Sequence, residues 1–172
     1  MEGEVLARIS DLVHNMFETF GAAFFDLIEP LFPTFVQLID FHRAYPSRQY
    51  GICFIDDCVE FAPSKCARYQ EQFVPVMLRC LADEYPEVRQ AAAYGFGVMG
   101  MVGGADYLNT VTAALEPLAA MVNSPGARLT EESSGATDNG IAAVAKILKY
   151  SGANIDITQV SKLNYSKVSL IM

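Results

Sequence analysis

Positive charge is scarce in this sequence: 12 Lys and Arg stand against 20 Asp and Glu, a net charge of −8 with a pI near 4.7. A nucleic-acid surface needs clustered cations, so direct nucleic-acid binding is not expected, and any partner chosen by charge is a basic protein. Histidine is scarcer still. His14 and His42 are the two present, far apart in sequence, and neither has a Ser, Cys and Asp set beside it that would suggest nucleophilic catalysis. The four cysteines, Cys53, Cys58, Cys66 and Cys80, contain no C-x-x-C pair, which disfavours a zinc site. Small buried thiols on helices are expected of them. The start, MEGEVLARISDL, lacks the basic and apolar regions of a secretory signal. Every long apolar run is broken by charge or proline before membrane-spanning length. No membrane insertion, no metal and no cofactor is expected, and the chain reads as soluble and intracellular.

What the sequence does hold is apolar content: 52% of its 172 residues are hydrophobic and the mean hydropathy is +0.22, enough for a sizeable core in one domain. Within it, AAAYGFGVMG at 91–100 places Gly95, Gly97 and Gly100 in the spacing G-x-G-x-x-G. That spacing cradles a pyrophosphate where a strand runs into a tight glycine turn that opens a helix. Here the upstream residues DEYPEVRQAAAY already start a helix, with Pro86 and Glu87 in its first turn. Val88, Ala92, Gly95, Met99 and Val102 then form one stripe at helical spacing. Gly95 and Gly97 are therefore expected inside a helix, allowing a neighbouring helix to come close, and a dinucleotide enzyme is the disfavoured reading.

A repeat supplies the neighbours. Pro33, Pro75 and Pro117 recur every 42 residues, in LFPTF, FVPVM and LEPLA. At the same offset, Phe24/Cys66/Leu108, Leu27/Tyr69/Val111, Leu31/Phe73/Leu115, Phe35/Met77/Ala119 and Leu38/Cys80/Val122 make five apolar columns, one amphipathic helix written three times. A second helix follows each copy: YPSRQYGICFIDDCVEF, YPEVRQAAAYGFGVMG and TDNGIAAVAKILKY. The first two carry Arg48 and Arg89 near their heads, which suggests a structural ladder with acids such as Glu84 or Glu87. Each first helix should kink at its proline.

This pattern predicts an all-α fold, an α-α superhelix of the HEAT/armadillo solenoid kind with about three full helix-pair repeats and partial repeats at both ends. Residues 1–20, with Val5, Ile9, Leu12, Met16 and Phe20 on one stripe, read as the closing helix of a preceding unit. Full repeats fall at 21–62, 63–103 and 104–152. The third contains a longer loop at 123–135, with Ser133 or Ser134 as the cap of the next helix. Residues 153–172 read as an incomplete repeat or tail in which Ile155, Ile157, Val160 and Leu163 suggest a short amphipathic piece.

On the first of the second helices, Gln49, Cys53, Asp56 and Glu60 step along one face with Asp57 beside them. Gln49, Asp56, Asp57 and Glu60 are the candidate cargo-binding residues, able to accept Lys or Arg through charge-assisted hydrogen bonds; a solvated face or inter-repeat salt bridges are the other reading. Asp56 and Asp57 point about 100° apart on a helix and have no nucleophile or metal set, so acid/base catalysis is not expected.

PSRQYGICFIDDCVEFAP, YPEVRQAAAYGFGVMG and ATDNGIAAVAKILKY, in this order, closely resemble consecutive HEAT repeats of the importin-beta (karyopherin-beta) family, of the importin-five or karyopherin-beta-three type. The resemblance covers about residues 10–152, and the ending from Ser161 departs from it. Since the family's receptors are far longer, it implies a piece of a nuclear import receptor, from its C-terminal half, working in the cytoplasm, the nucleus and the nuclear pore. It implies basic cargo such as ribosomal proteins and histones, Phe-Gly nucleoporins, and GTP-bound Ran, whose contacts lie mainly outside this stretch. A HEAT scaffold for protein–protein interaction without transport is the alternative.

Overall fold

The computed structural model describes residues 2–155, and among these the regular structure is helical throughout. Helix α1 (Glu2–Phe20) is followed by α2 (Ala22–Ile28), α3 (Phe32–Leu38) and α4 (Tyr45–Phe61). Then come α5 (Pro63–Cys66), α6 (Gln70–Cys80), α7 (Pro86–Val102), α8 (Leu108–Val122) and α9 (Glu131–Ser151). The helices α4, α7 and α9 stack side by side, with α1 against α4, while the shorter segments lie across them as the other member of each pair. This is the HEAT-type α-α superhelix.

Proline punctuates the chain at helix starts. Pro46, Pro63 and Pro86 occupy the first turns of α4, α5 and α7, where the missing N–H would have had no intrahelical partner. Gly21 and Gly104 turn the chain at α1/α2 and before α8, with φ of 57° and 56°, a region an L side chain rarely adopts. Helix α9 is capped by Thr130, whose side chain accepts from the Ser133 amide at 3.1 Å. The expected cap at Ser133 or Ser134 is thus displaced: both lie in the first turn, and the connecting loop is shorter, 123–130. A threonine with extended backbone just before two glutamates meets the capping requirement earlier than a serine inside the helix can.

The first helices differ from expectation in two ways. In the first copy a 3-10 turn, Glu29–Leu31, separates α2 from α3, and Pro33 sits in the opening turn of α3, so the helix is broken there instead of kinked. Pro30, at the head of that turn, adds a second missing donor. Pro75 and Pro117 do lie inside α6 and α8. The buried stripe of this copy runs through Phe24, Ile28, Phe32, Phe35 and Ile39 at helical spacing. Leu27 (71% exposed) and Leu31 (53%) leave the core, and Phe25, Ile28 and Phe32 take the buried face.

The core is a continuous seam of aromatic and aliphatic side chains between the layers. Phe32 stacks on Tyr69 at 4.4 Å and meets Phe73 edge-on at 6.0 Å, joining the first two copies. Phe35 stacks on Phe54 at 4.8 Å, and buried Tyr107 donates its hydroxyl to the Pro63 carbonyl at 3.3 Å. The cysteines are free thiols: Cys58, Cys66 and Cys80 are buried and Cys53 is half-buried. Burial pushes the Cys66 and Cys80 thiols up to about 12.

On α1 the stripe Val5, Ile9, Leu12 and Phe20 faces away from the rest of the molecule, and Val13 and Phe17 pack inward. Of the 153–172 segment, Gly152–Asn154 form a 3-10 turn and Ile155 is buried; Ile157, Val160, Leu163 and the stretch from Ser161 lie outside the described residues.

Candidate functional site

The G-x-G-x-x-G glycines sit within α7 and serve its two neighbours. A Cβ on Gly95 would lie 2.0 Å from Asp56 Oδ1 and 2.7 Å from Met77 Cε. On Gly97 it would lie 3.1 Å from the Ala143 Cα, and on Gly100 2.9 Å from the Ile147 Cα. These are contacts with the backbone of α9 and a side chain of α4, at positions where a phosphate would need free amides.

Residues from α1, α4 and α7 border an open groove of about 450 Å³: Ser10, Asp11, His14, Asn15, Cys53, Asp56, Asp57 and Tyr94. Helical spacing sends the α4 carboxylates to different partners. Asp57 Oδ1 accepts from the His14 ring at 2.8 Å, toward α1. Glu60 accepts from the Tyr94 hydroxyl at 2.9 Å, toward α7. Asp56 turns to Gly95, is 3% exposed, and its Oδ1 has no hydrogen-bond donor. Gln49 is half-buried one turn before Cys53. Of the four residues singled out in the sequence, the groove thus gathers Asp56 and Asp57, with Glu60 reaching it through Tyr94 and Gln49 further up the helix.

Electrostatics follow from this placement. Burial, helped by Asp57 and Glu60, pushes the Asp56 carboxyl well above the usual range. Burial also raises Asp57, to about 6, although the bond from His14 works against that rise. His14 is raised in turn, chiefly by the same bond. Lys146 of α9 sits 5.2 Å from the Tyr94 ring centre.

Sequence reasoning missed His14, Tyr94 and Lys146 here. Their contacts cross from one helix to its neighbour in the stack, and the only signal is the offset: 43 residues separate His14 from Asp57 and 34 separate Glu60 from Tyr94, close to one repeat length.

The two arginines stand at the other edge. Arg48 is 6% exposed and binds Asp83 with two donors, Nε at 3.0 Å and Nη2 at 2.9 Å; Nη1 reaches the Arg43 carbonyl at 2.6 Å. Arg89 gives Nη1 to the carbonyls of Asp83 and Glu84 at 2.7 and 3.0 Å. The acid in the rung is therefore Asp83, not Glu84 or Glu87: Glu84 is on the turn leading into α7 and Glu87 in its first helical turn, whereas Asp83 is held buried facing Arg48.

A HEAT repeat family model matches residues 73–102. Importin subunit beta-3 of Saccharomyces cerevisiae is 30% identical over 118 residues, covering 69% of this chain and 11% of that protein, so the chain spans about a ninth of the relative's length. Among solved structures, Kap121p bound to RanGTP matches with a TM-score of 0.80 and 24% identity, and Kap121p bound to Ste12p with 0.81 and 24%. Each match covers 92% of this chain and 15% of the other. Prolines at helix heads, glycine-seated helix contacts and an arginine rung, in a stack that follows the Kap121p backbone and a sequence that follows importin beta-3, have one common account: the chain belongs to the importin-beta (karyopherin-beta) family as a run of its HEAT repeats.

Proposed function

We propose that this run of repeats is part of a nuclear import receptor and that its own contribution is to bind basic cargo proteins at the groove between α1, α4 and α7. The observation that carries the reading is the groove's acidic lining, Asp11 and Asp57, with Glu60 beside Tyr94 and no Lys or Arg salt-bridged to Asp11 or Glu60 among the described residues. A Lys or Arg of a ribosomal-protein or histone class cargo would enter between His14 and Tyr94 and pair with Asp57 and Glu60, with Gln49 offering a further acceptor. Asp56 lines the groove with its Oδ1 unpaired.

In this reading the activity is binding, without catalysis. Phe-Gly nucleoporins and GTP-bound Ran engage the longer receptor, Ran mainly outside these repeats, and the protein moves between cytoplasm and nucleus through the pore. The repeats divide at 21–62, 63–103 and 104–152, with 1–20 closing a preceding unit and 153–172 beginning another. The test is fluorescence anisotropy with a lysine-rich histone-tail peptide. Changing Asp56, Asp57 and Glu60 to their amides should weaken binding about tenfold at low salt with the circular dichroism spectrum unchanged. Equal affinity for variant and native chain would overturn the assignment.

A further inference from the structure

Repeat geometry places Arg48 and Arg89 in equivalent positions, and one of them lacks what the other has. Each arginine gives Nη1 to the carbonyl five residues earlier, Arg43 for Arg48 and Glu84 for Arg89. Arg48 then spends Nε and Nη2 on the carboxylate that the next repeat supplies from its inter-helix turn, Asp83. For Arg89 the corresponding turn reads Ser124, Pro125 and Gly126, and carries no acid. Its Nε and Nη2 have no partner among the described residues, and neither Glu84 nor Glu87 reaches them. The nearest downstream acids do not serve: Glu131 and Glu132 open α9 exposed, and Asp138 pairs with Arg128 at 2.8 Å.

Arg89 lines a cleft of about 410 Å³ between the α6–α7 turn, α8 and the 123–130 loop, with Leu81, Pro117 and Met121 as apolar walls. The Asp83 carboxylate at its edge is already compensated by Arg48 and by the Tyr85 amide at 3.0 Å. A guanidinium with two parallel free donors matches the two oxygens of a carboxylate.

We propose that this cleft binds an aspartate or glutamate side chain of a partner polypeptide, seated on Arg89 as Asp83 is seated on Arg48. The internal counterpart argues for a polypeptide source: the same position one repeat earlier is filled by a side chain projecting from a turn, and the cleft is larger than a free carboxylate needs. Leu81, Pro117 and Met121 take the apolar residues flanking the acid. The net charge of −8 opposes approach of an acidic segment over long range, but beyond a Debye length of roughly 8 Å that repulsion is screened, and the direct contact decides. The site is separate from the acidic groove and stands whether or not the chain carries cargo.

The test uses the whole chain with ¹⁵N-arginine and methyl-¹³C-methionine labels, titrated with the capped peptide acetyl-Leu-Asp-Leu-amide, with its asparagine counterpart, and with acetate. The aspartate peptide should shift the Arg89 Nε–H and Met121 methyl resonances saturably, with Kd on the order of 1 mM. The asparagine peptide and acetate should each bind at least about tenfold more weakly, and so should the aspartate peptide to Arg89→Lys, which keeps the charge and loses the fork. Far-UV circular dichroism of Arg89→Lys and Arg89→Gln fixes that both remain folded. Absence of a saturable shift, or equal binding of the two peptides, would overturn the site; acetate binding as tightly as the aspartate peptide would overturn the polypeptide as its ligand.

Discussion

Asp83 turns both carboxylate oxygens to the guanidinium of Arg48, 35 residues away, at 3.0 and 2.9 Å, with the two side chains 2% and 7% exposed. The pair ties the head of α4 to the turn before α7. Removing one partner leaves the other charge buried without compensation, which costs about 3–5 kcal/mol. Asp83→Ala and Arg48→Ala should each lower the unfolding free energy measured by urea titration by that amount. Arg89→Ala should cost only about 1 kcal/mol, since it loses bonds to carbonyls at a half-exposed site. Similar losses for Arg48→Ala and Arg89→Ala would contradict the distinction between a filled and an open fork.

Two glycines on neighbouring helices should respond with opposite sign. Gly95→Ala drives a methyl to 2.0 Å from Asp56 Oδ1, so overpacking of about 1–3 kcal/mol outweighs the gain of roughly 1 kcal/mol in helix propensity. At Gly135, in the second turn of α9, the new methyl meets only the end of Gln90 at 3.4 Å. There the propensity gain prevails, and Gly135→Ala should stabilise the chain by about 0.5–1 kcal/mol. Thermal unfolding of the two variants side by side checks both signs.

Acid should strengthen this fold before it weakens it. Asp56, Asp57 and His14 are all raised, so the folded chain holds these protons more tightly than the unfolded one. Their contribution is complete below the unfolded carboxyl value of 3.8, and Asp57's is lost as pH rises through about 6. That of His14 is lost higher, above its ordinary 6.5. The urea midpoint should therefore fall as pH rises from about 4 through 6, with Asp57, and again above 6.5 as the His14 ring loses its proton. Asp56→Asn removes a carboxyl whose ionisation burial opposes; it should stabilise the chain at pH 8 and do little at pH 5. An Asp56→Asn chain weaker than the native one at pH 8 would show that Oδ1 has a donor after all.

Val5, Ile9, Leu12 and Phe20 on α1, with Leu27 and Leu31 beside the α2–α3 break, are 42–71% exposed. An apolar face of this kind associates with its like or with another apolar face. Sedimentation velocity at rising concentration should show self-association, and Leu12→Lys with Leu31→Lys should abolish it while far-UV circular dichroism stays the same.

Much of the architecture was legible because stacking repeats write the same physics several times. Pro33, Pro75 and Pro117 marked the first helices, Arg48 and Arg89 the heads of the second, and the apolar columns the core face of two copies out of three. The first copy misled because its buried stripe runs through Phe25, Ile28 and Phe32, which leaves Leu27 and Leu31 exposed beside the break at Pro30. The cap of α9 misled because Thr130, Ser133 and Ser134 all carry a suitable oxygen, and backbone conformation decides among them. Of the groove, the sequence displayed the carboxylates but not their partners: His14 and Tyr94 become neighbours of Asp57 and Glu60 only when whole helices stack.

The joints of the stack are unlike, and this sets where it can bend. Toward α9, Gly97 and Gly100 bring α7 against the Ala143 and Ile147 main chain, leaving no slack to take up a change of angle. Between α1 and α4 the seam is made by the Phe17–Phe61 stack and the single His14–Asp57 bond, bordering an open groove. Under an external load the α7–α9 pair moves as one stiff plate, and the joint at α1 and α4 gives first. Flexure of the superhelix then widens or narrows the acidic groove, so its grip on a cation becomes a function of curvature.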